Sequence, residues 1–203
     1  ISEHMKMSKS KGNVVNPDAY VHKLGADTVR AYLMFVGPWE QGGEWDDSGI
    51  SGISRWLNRV SALATESYHS TGSTGDVELI RVTHQTIKKA SEDMERMRFN
   101  TMVSALMELS NYLGKVRETG AAGEAVWKES VKTLLLLLAP TAPHTAEELW
   151  EKIGGEYSIH NRSWPPWDES LIKTEEFTLV VQVNGKVRDR IMAPVTIAEN
   201  EAK

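Results

Sequence analysis

The chain has 203 residues, no cysteine and a formal net charge of −5 at neutral pH. This length can bury a hydrophobic core, and the lack of cysteine excludes disulfides, thiolate metal sites and a cysteine nucleophile. The acidic balance argues against a protein that coats nucleic acid through many phosphate contacts, although a local basic face stays compatible with RNA. The longest apolar run, residues 134–139, is too short to span a bilayer, and a cysteine-free chain fits a reducing cytosol. We therefore expect a cytoplasmic protein without membrane contact.

The amino-terminal segment, KMSKSKGN at residues 6–13, places three lysines within six residues with no acid among them. Ammonium groups, hydroxyls and free backbone N–H groups are donors that suit polyphosphate, and lysine is a compact charge that can stabilise a leaving pyrophosphate. Gly12 allows the segment to bend. Composition alone leaves a solvated basic loop as the alternative.

Seven helices are predicted from the spacing of apolar residues and from end signals. Asn16 before Pro17 predicts the first helix start, and Gly25 predicts its end. Apolar stripes of the other six helices cover residues 29–36, 50–64, 80–97, 102–116, 127–138 and 146–153, with a Gly- and Trp-rich loop at 37–49 and a Ser/Thr/Gly linker at 70–75. Amphipathic helices joined by short connections pack as a bundle.

Some finer expectations concern helix ends and one core position. We expect Asn100 or Thr101 to cap the helix that begins near residue 102. Thr145 and Glu148 have the spacing of a capping box at a later helix start. Helical spacing also places Met97 inward.

After residue 168 the pattern changes. Residues 177–183 are rich in β-branched side chains, and Asn184-Gly185 separates them from a second run at 186–192. An Asn-Gly pair tolerates the positive φ angles of a type I′ turn, so this sequence predicts a β-hairpin. The expected fold is therefore mainly α, an antiparallel helical bundle with a small C-terminal β-hairpin or α+β portion.

A metal site is considered at His144, because Glu147 and Glu148 follow it at helical spacing. The second histidine of a zinc-protease arrangement is missing. We therefore expect no metal site in this chain.

Several motifs resemble one family. KMSKS followed by KGN resembles the mobile ATP loop of class I aminoacyl-tRNA synthetases, and GADTVR at 25–30 resembles the segment after that loop in the leucine, isoleucine and valine enzymes. YLMF at 32–35, GPWE at 37–40, GGEW at 42–45 and VQVNGKVR at 181–188 are similar to leucyl-tRNA synthetases in particular. FNT at 99–101 and EELW at 147–150 follow in the order expected for the tail of that enzyme. The chain is identified as a member of the leucyl-tRNA synthetase family.

The resemblance implies roles in forming leucyl-adenylate from leucine and ATP with Mg²⁺. Lys9, and after it Lys6, would stabilise the departing pyrophosphate. Ser8 and Ser10 would donate hydrogen bonds, and Met7 would pack near the adenine. These five residues form the expected ATP site.

The resemblance also implies contacts with tRNA(Leu). Candidate residues are Lys11, Arg55, Arg59, Lys186 and Arg188. For the two arginines a solvated helix face is the alternative, and the two hairpin cations have the same alternative.

The chain starts at Ile1, and it contains neither a Gly-rich nucleotide loop nor the His-x-Gly-His-type element of the class I family. We therefore expect an excised, monomeric part of a leucine–tRNA ligase that is inactive alone and binds no cofactor by itself. Its expected parts are the ATP loop and junction at 1–45, a helical anticodon-binding-type bundle for tRNA at 46–168, and the start of a small C-terminal domain at 169–203. The alternatives are an isoleucyl- or valyl-tRNA synthetase fragment and a non-catalytic helical RNA-binding or docking module.

Overall fold

The structure is a computed structural model that describes residues 7–173, 176–183 and 186–194, with side chains described for 7–173. The chain divides into two compact units after Trp167. None of the described helices is long and apolar enough to cross a membrane.

Helices make up most of the first unit. Within residues 7–167 they are α1 to α7, at Pro17–Leu24, Ala26–Phe35, Asp47–Thr65, Asp76–Glu95, Phe99–Thr119, Glu124–Leu138 and Pro143–Lys152. Short 3₁₀ turns lie at Lys9–Lys11 and Ile159–Asn161. The prediction of a mainly helical fold is confirmed.

The core of the first unit lies where α2 to α7 meet. Many of its fully buried large side chains belong to α5 and to the second half of α6, and they include Met102, Leu106, Leu109, Leu113, Leu134, Leu135, Leu137 and Leu138. Trp56 of α3 is also buried, and its Nε1–H donates to Ser110 Oγ at 3.0 Å. Burying large apolar side chains is the main source of stability, at about 25 cal/mol per Å² of apolar surface.

The ends of α1 follow the sequence signals. Asn16 caps the helix by accepting a hydrogen bond from the Asp18 N–H at 3.0 Å. Gly25 lies between α1 and α2 with φ 87° and ψ 153°, a backbone conformation that is essentially restricted to glycine. This glycine lets α2 begin directly after α1 in a new direction.

Two helix starts differ from the expectations. α3 begins at Asp47, because the Asp46 carboxylate accepts bonds from the N–H groups of Ser48 and Gly49, so the preceding loop is shorter than predicted. α5 begins at Phe99 with Arg98 as its N-cap, so neither Asn100 nor Thr101 caps it.

The capping box at Thr145 and Glu148 is also wrong. α7 begins two residues earlier, at Pro143, whose ring fixes the φ angle of a first helical turn. Glu148 instead accepts from Lys152 at 2.6 Å. Met97 was expected inside, but α4 ends at Glu95, and Met97 lies in the following turn with φ 56° and 53% exposure.

The second unit contains a short helix and two strands within its described residues. α8 covers Glu169–Ile172, and β1 and β2 cover Glu176–Val183 and Lys186–Pro194. The strands pair antiparallel, with Glu176 opposite Pro194 and a register irregularity at Val181/Gln182. The type I′ turn predicted at Asn184-Gly185 lies outside the described residues.

Candidate functional site

The cationic loop, residues 7–13, is a tight turn closed by its own backbone and by Asn13. The Ser8 N–H donates to Asn13 Oδ1 at 2.8 Å, and the Lys11 N–H donates to the Ser8 carbonyl at 3.0 Å. Gly12 follows with φ 67°, a left-handed conformation that glycine adopts without strain. The loop therefore holds its lysines on one turn of backbone.

The side chains of this turn form a set of donors. Lys9, Ser10 and Lys11 are exposed, whereas Met7 and Ser8 are half-buried. Ser8 Oγ and Ser10 Oγ lie 2.8 Å apart, so one hydroxyl donates to the other. The Lys9 ammonium has no hydrogen-bond or ion-pair partner among the residues that the structure describes. Lys6, the second lysine predicted to act, lies outside those residues.

Met7 lines an apolar groove of about 430 Å³ beside the loop. The walls of this groove include Val15, Leu33, Trp39 and Trp45. Leu33 and Trp39 are 48% and 60% exposed, so the groove opens to the surface. An apolar surface therefore adjoins the polar donors of the cationic loop.

An aromatic cluster anchors the helix that follows the cationic loop. Tyr20 of α1 donates its hydroxyl to Asp47 Oδ1 at 2.6 Å, and Trp45 Nε1–H donates to the same oxygen at 2.9 Å. The Trp45 ring packs edge-on against Tyr20 and Tyr32, with ring centroids 4.8 and 5.0 Å away. The bonds from Tyr20 and Trp45 hold the pKa of the Asp47 carboxyl below its usual value. These contacts fix α1 to the start of α3.

His144 lies against Asp27 of α2. Its Nδ1 is 2.9 Å from Asp27 Oδ1, and the Thr145 N–H donates to Asp27 Oδ2 at 2.6 Å. Burial raises the pKa of Asp27, but the bonds from His144 and Thr145 outweigh burial and hold this pKa below its ordinary value. Glu147 instead bonds Ser158 and the Ile159 N–H. The three residues considered as metal ligands therefore point to different partners.

Arg55 and Arg59 are exposed one turn apart on α3. Within the described residues neither has an ion-pair partner, whereas Arg117 of α5 bonds Glu66, the residue that follows α3, at 2.8 Å. The structure therefore brings two unpaired guanidinium groups together on one helix face. Lys186 and Arg188 are in β2, where side chains are not described.

The sequence patterns missed a second basic surface. Arg96 and Arg98 lie in the exposed turn between α4 and α5, just before Phe99, against which the Trp39 ring packs edge-on with centroids 5.7 Å apart. Neither arginine has a partner among the residues described. The only local signal was two arginines that flank an apolar residue expected inside.

Two family models match the chain in succession. The family described as tRNA synthetases class I (I, L, M and V) matches residues 2–46, and the family described as anticodon-binding domain of tRNA ligase matches residues 76–200. Because the second match covers more than half of the sequence, the chain belongs to the anticodon-binding domain family of tRNA ligases.

Similar proteins indicate one kind of tRNA ligase within this family. A leucine–tRNA ligase of Dehalococcoides mccartyi strain 195 is 60% identical over 205 residues, which cover 100% of this chain and 25% of the relative. A leucine–tRNA ligase of Rubrobacter xylanophilus is 51% identical over 98% of this chain and 24% of its own length. This similarity confirms the resemblance to leucyl-tRNA synthetases. The chain spans about a quarter of the length of these relatives.

Two solved structures of aminoacyl-tRNA synthetases are similar to this chain in fold. The Agrobacterium radiobacter K84 agnB2 LeuRS–tRNA–LeuAMS ternary complex superposes with a TM-score of 0.77 and 32% identity, covering 99% of this chain and 27% of that chain. Mycobacterium tuberculosis methionyl-tRNA synthetase with methionyl-adenylate superposes with a TM-score of 0.63 at 22% identity, covering 74% of this chain and 36% of that chain. The second likeness concerns the fold alone.

Proposed function

We propose that this chain serves the ATP-dependent attachment of leucine to tRNA(Leu), as the part of a leucine–tRNA ligase that carries the ATP loop and the tRNA-binding bundle. The identity of 60% over the whole chain with a leucine–tRNA ligase supports this activity. The reaction forms a bond between the leucine carboxylate and the α-phosphorus of ATP and breaks the bond to pyrophosphate. A ribose hydroxyl of the tRNA then attacks the activated leucyl carbonyl, the ester to the tRNA forms, and AMP leaves.

The proposed role of Lys9 is to stabilise the negative charge that grows on pyrophosphate as it leaves. The observation that carries this role is an exposed ammonium without a partner on a preformed turn. A cation that meets charge only as it develops lowers the barrier more than it tightens substrate binding. Lys6 is proposed as the second cation of the same site.

The neighbours of Lys9 would complete the ATP site. The Ser8 and Ser10 hydroxyls bond each other at 2.8 Å, and each can turn to donate to a phosphate oxygen instead. Met7, at the edge of the apolar groove, is proposed to pack near the adenine. Mg²⁺ is proposed to accompany ATP in the complete enzyme; among the described residues no three His, Asp or Glu side chains form a metal cluster.

The bundle is proposed to hold tRNA(Leu) through phosphate contacts by Lys11, Arg55, Arg59, Lys186 and Arg188. The unpaired state of the two α3 arginines supports this, because a guanidinium already held by a carboxylate is less available to RNA. We propose the same domain assignment as above: the ATP loop and junction at 1–45, the bundle at 46–168, and the start of a small C-terminal domain, with the β1–β2 pair, at 169–203. A cytoplasmic monomer is proposed for the complete enzyme.

The role of Lys9 is tested in a chimeric ligase, in which this chain replaces the matching quarter of the Dehalococcoides enzyme. Lys9→Ala is expected to slow ATP–pyrophosphate exchange by about 100-fold, with little change in the KM for leucine. Lys115→Ala, which removes an exposed lysine of α5, is the matched control and is expected to keep the parent rate. Equal exchange by Lys9→Ala and the parent would reject this role.

The tRNA contacts are tested by salt dependence. The Arg55→Ala/Arg59→Ala variant of the chimeric ligase is expected to bind leucine tRNA more weakly, and the slope of log affinity against log salt is expected to fall by about 1 for each lost phosphate contact. An unchanged slope shows that these arginines form a solvated face.

A further inference from the structure

Two side chains from one turn of α2 bond the connection between α6 and α7 and the start of α7. Asp27, only 6% exposed, accepts from the Thr145 N–H and contacts His144 at the start of α7. Three residues later, Arg30 Nη2 donates to the Pro140 carbonyl at 3.1 Å, just after α6 ends. We call these five residues the α2–α7 joint.

The chemistry of the joint suits the elements that it connects. The first N–H groups of a helix have no partner within the helix, and a carboxylate there also interacts favourably with the helix dipole. The carbonyls at a helix end lack partners in the same way, and Arg30 supplies a cationic donor to this end of the connection. Both ends of the connection are therefore held from α2.

The joint links two parts of the chain that match different families. Its bonds span 110 to 118 residues, from the part that matches class I synthetases to the part that matches the anticodon-binding domain. The cationic loop leads into α1, and α1 leads into α2 through Gly25 alone. A tilt of α2 on the bundle would therefore move the loop as well.

A similar bond between two helices of the bundle serves as a comparison for the Asp27 bond. Asp76 of α4 accepts from the Gly123 N–H at the start of α6 at 2.7 Å. This bond is also an aspartate from one helix on the amino end of another, but both partners lie within residues 76–200. The Asp76 bond therefore joins two helices of the bundle, whereas the Asp27 bond joins the loop-bearing segment to the bundle.

We propose that Asp27 and Arg30 are positioning residues, which fix the cationic loop relative to the bundle so that activated leucine and bound tRNA meet in one geometry. The proposal rests on the proposed function. Neither side chain is assigned a contact with ATP or tRNA; both act through the orientation of α1 and α2. Leucyl transfer needs this geometry, whereas adenylate formation without tRNA depends on the loop and the catalytic domain.

The experiment compares two reactions of the chimeric ligase, normalised to active sites. Asp27→Ala and Arg30→Ala are each expected to lower kcat for tRNA leucylation about tenfold, because small misplacements of reacting groups cost large factors in rate. ATP–pyrophosphate exchange is expected to stay within about twofold of the parent. Asp27→Asn keeps an oxygen for the Thr145 N–H and is expected to recover part of the leucylation rate.

Asp76→Ala is the matched control, since it removes a bond of the same kind within the bundle, and it is expected to leave the ratio of the two rates unchanged. Equal losses of both reactions in Asp27→Ala, or no loss of leucylation, overturn the proposal.

Hydrogen exchange of the 203-residue chain supplies a second readout that needs no activity. Asp27→Ala is expected to speed amide exchange across residues 17–35 and at the start of α7, without change at 102–116. Unchanged amide exchange at residues 17–35 would contradict the proposal that the joint holds α2 on the bundle. If the parent chimera fails to charge tRNA, the proposed function fails, and the exchange pattern alone decides whether the joint holds α2.

Discussion

The amino-terminal segment, residues 7–46, and the bundle that follows it are held in different ways. The bundle rests on fully buried apolar side chains such as Leu106 and Leu134. α2 joins this core through the buried side chains of Val29, Ala31 and Tyr32 and adds the directed Asp27–Thr145 bond. α1 is attached by polar and aromatic contacts such as the Tyr20–Asp47 bond. No residue of α1 is buried. Apolar burial is therefore shared by α2 and the bundle, whereas α1 depends on contacts at the surface of the core.

The largest expected effect tests the contribution of apolar burial to the stability of the bundle. Leu106→Ala removes a side chain with no exposed surface and is expected to lower the free energy of unfolding by about 2–5 kcal/mol, measured by urea denaturation. Leu33→Ala, at a position that is 48% exposed in α2, is expected to change it by less than about 0.5 kcal/mol. Similar losses for both variants would contradict this difference between a fully buried and a half-exposed leucine.

The next effect tests the backbone hinge of the amino-terminal segment. Gly25→Ala is expected to cost about 1–3 kcal/mol, because its backbone conformation disfavours any side chain although the space around it is open. Gly114→Ala is the control, since this glycine lies inside α5, also in open space, and alanine there is expected to stabilise by about 0.5–1 kcal/mol. A neutral Gly25→Ala would show that α1 and α2 do not need this angle.

The smallest effect concerns pH. The pKa of Asp27 is lowered in the folded chain, so its carboxylate contributes stability above the unfolded value of about 3.9 and loses it as the pH falls through the lower folded value. The difference in unfolding free energy between the parent and Asp27→Asn is therefore expected to shrink on acidification below about pH 4.

Asp27 lines a surface groove between α2, α3 and α7, separate from the apolar groove at Met7, and His144 and Glu148 are the other titratable groups that line it. Glu148→Gln is the matched control and is expected to follow the acid unfolding of the parent. A constant difference between the parent and Asp27→Asn across this pH range would contradict the role of the Asp27 charge.

Sequence reasoning worked where the structure depends on local periodicity. The apolar spacing of α5 and α6 predicts their buried stripes because each helix contributes a regular face to one core. The KMSKS motif likewise marks the cationic loop, since its donors lie next to one another in the chain.

The incorrect predictions share a physical cause. Thr145 looks like a helix cap in the local sequence, but Pro143 starts the helix and a carboxylate 118 residues away takes the Thr145 N–H. Met97 continues the helical spacing of α4, yet the helix ends before it. Bonds between distant residues leave no mark in a local pattern, so the α2–α7 joint emerges only from the structure.

Charging of tRNA by the chimeric ligase tests the central proposal most directly. With this chain in place of its matching quarter, the Dehalococcoides enzyme is expected to attach leucine to leucine tRNA, and to leave isoleucine and valine tRNAs uncharged. A chimera that folds and forms leucyl-adenylate but charges no leucine tRNA would contradict the account.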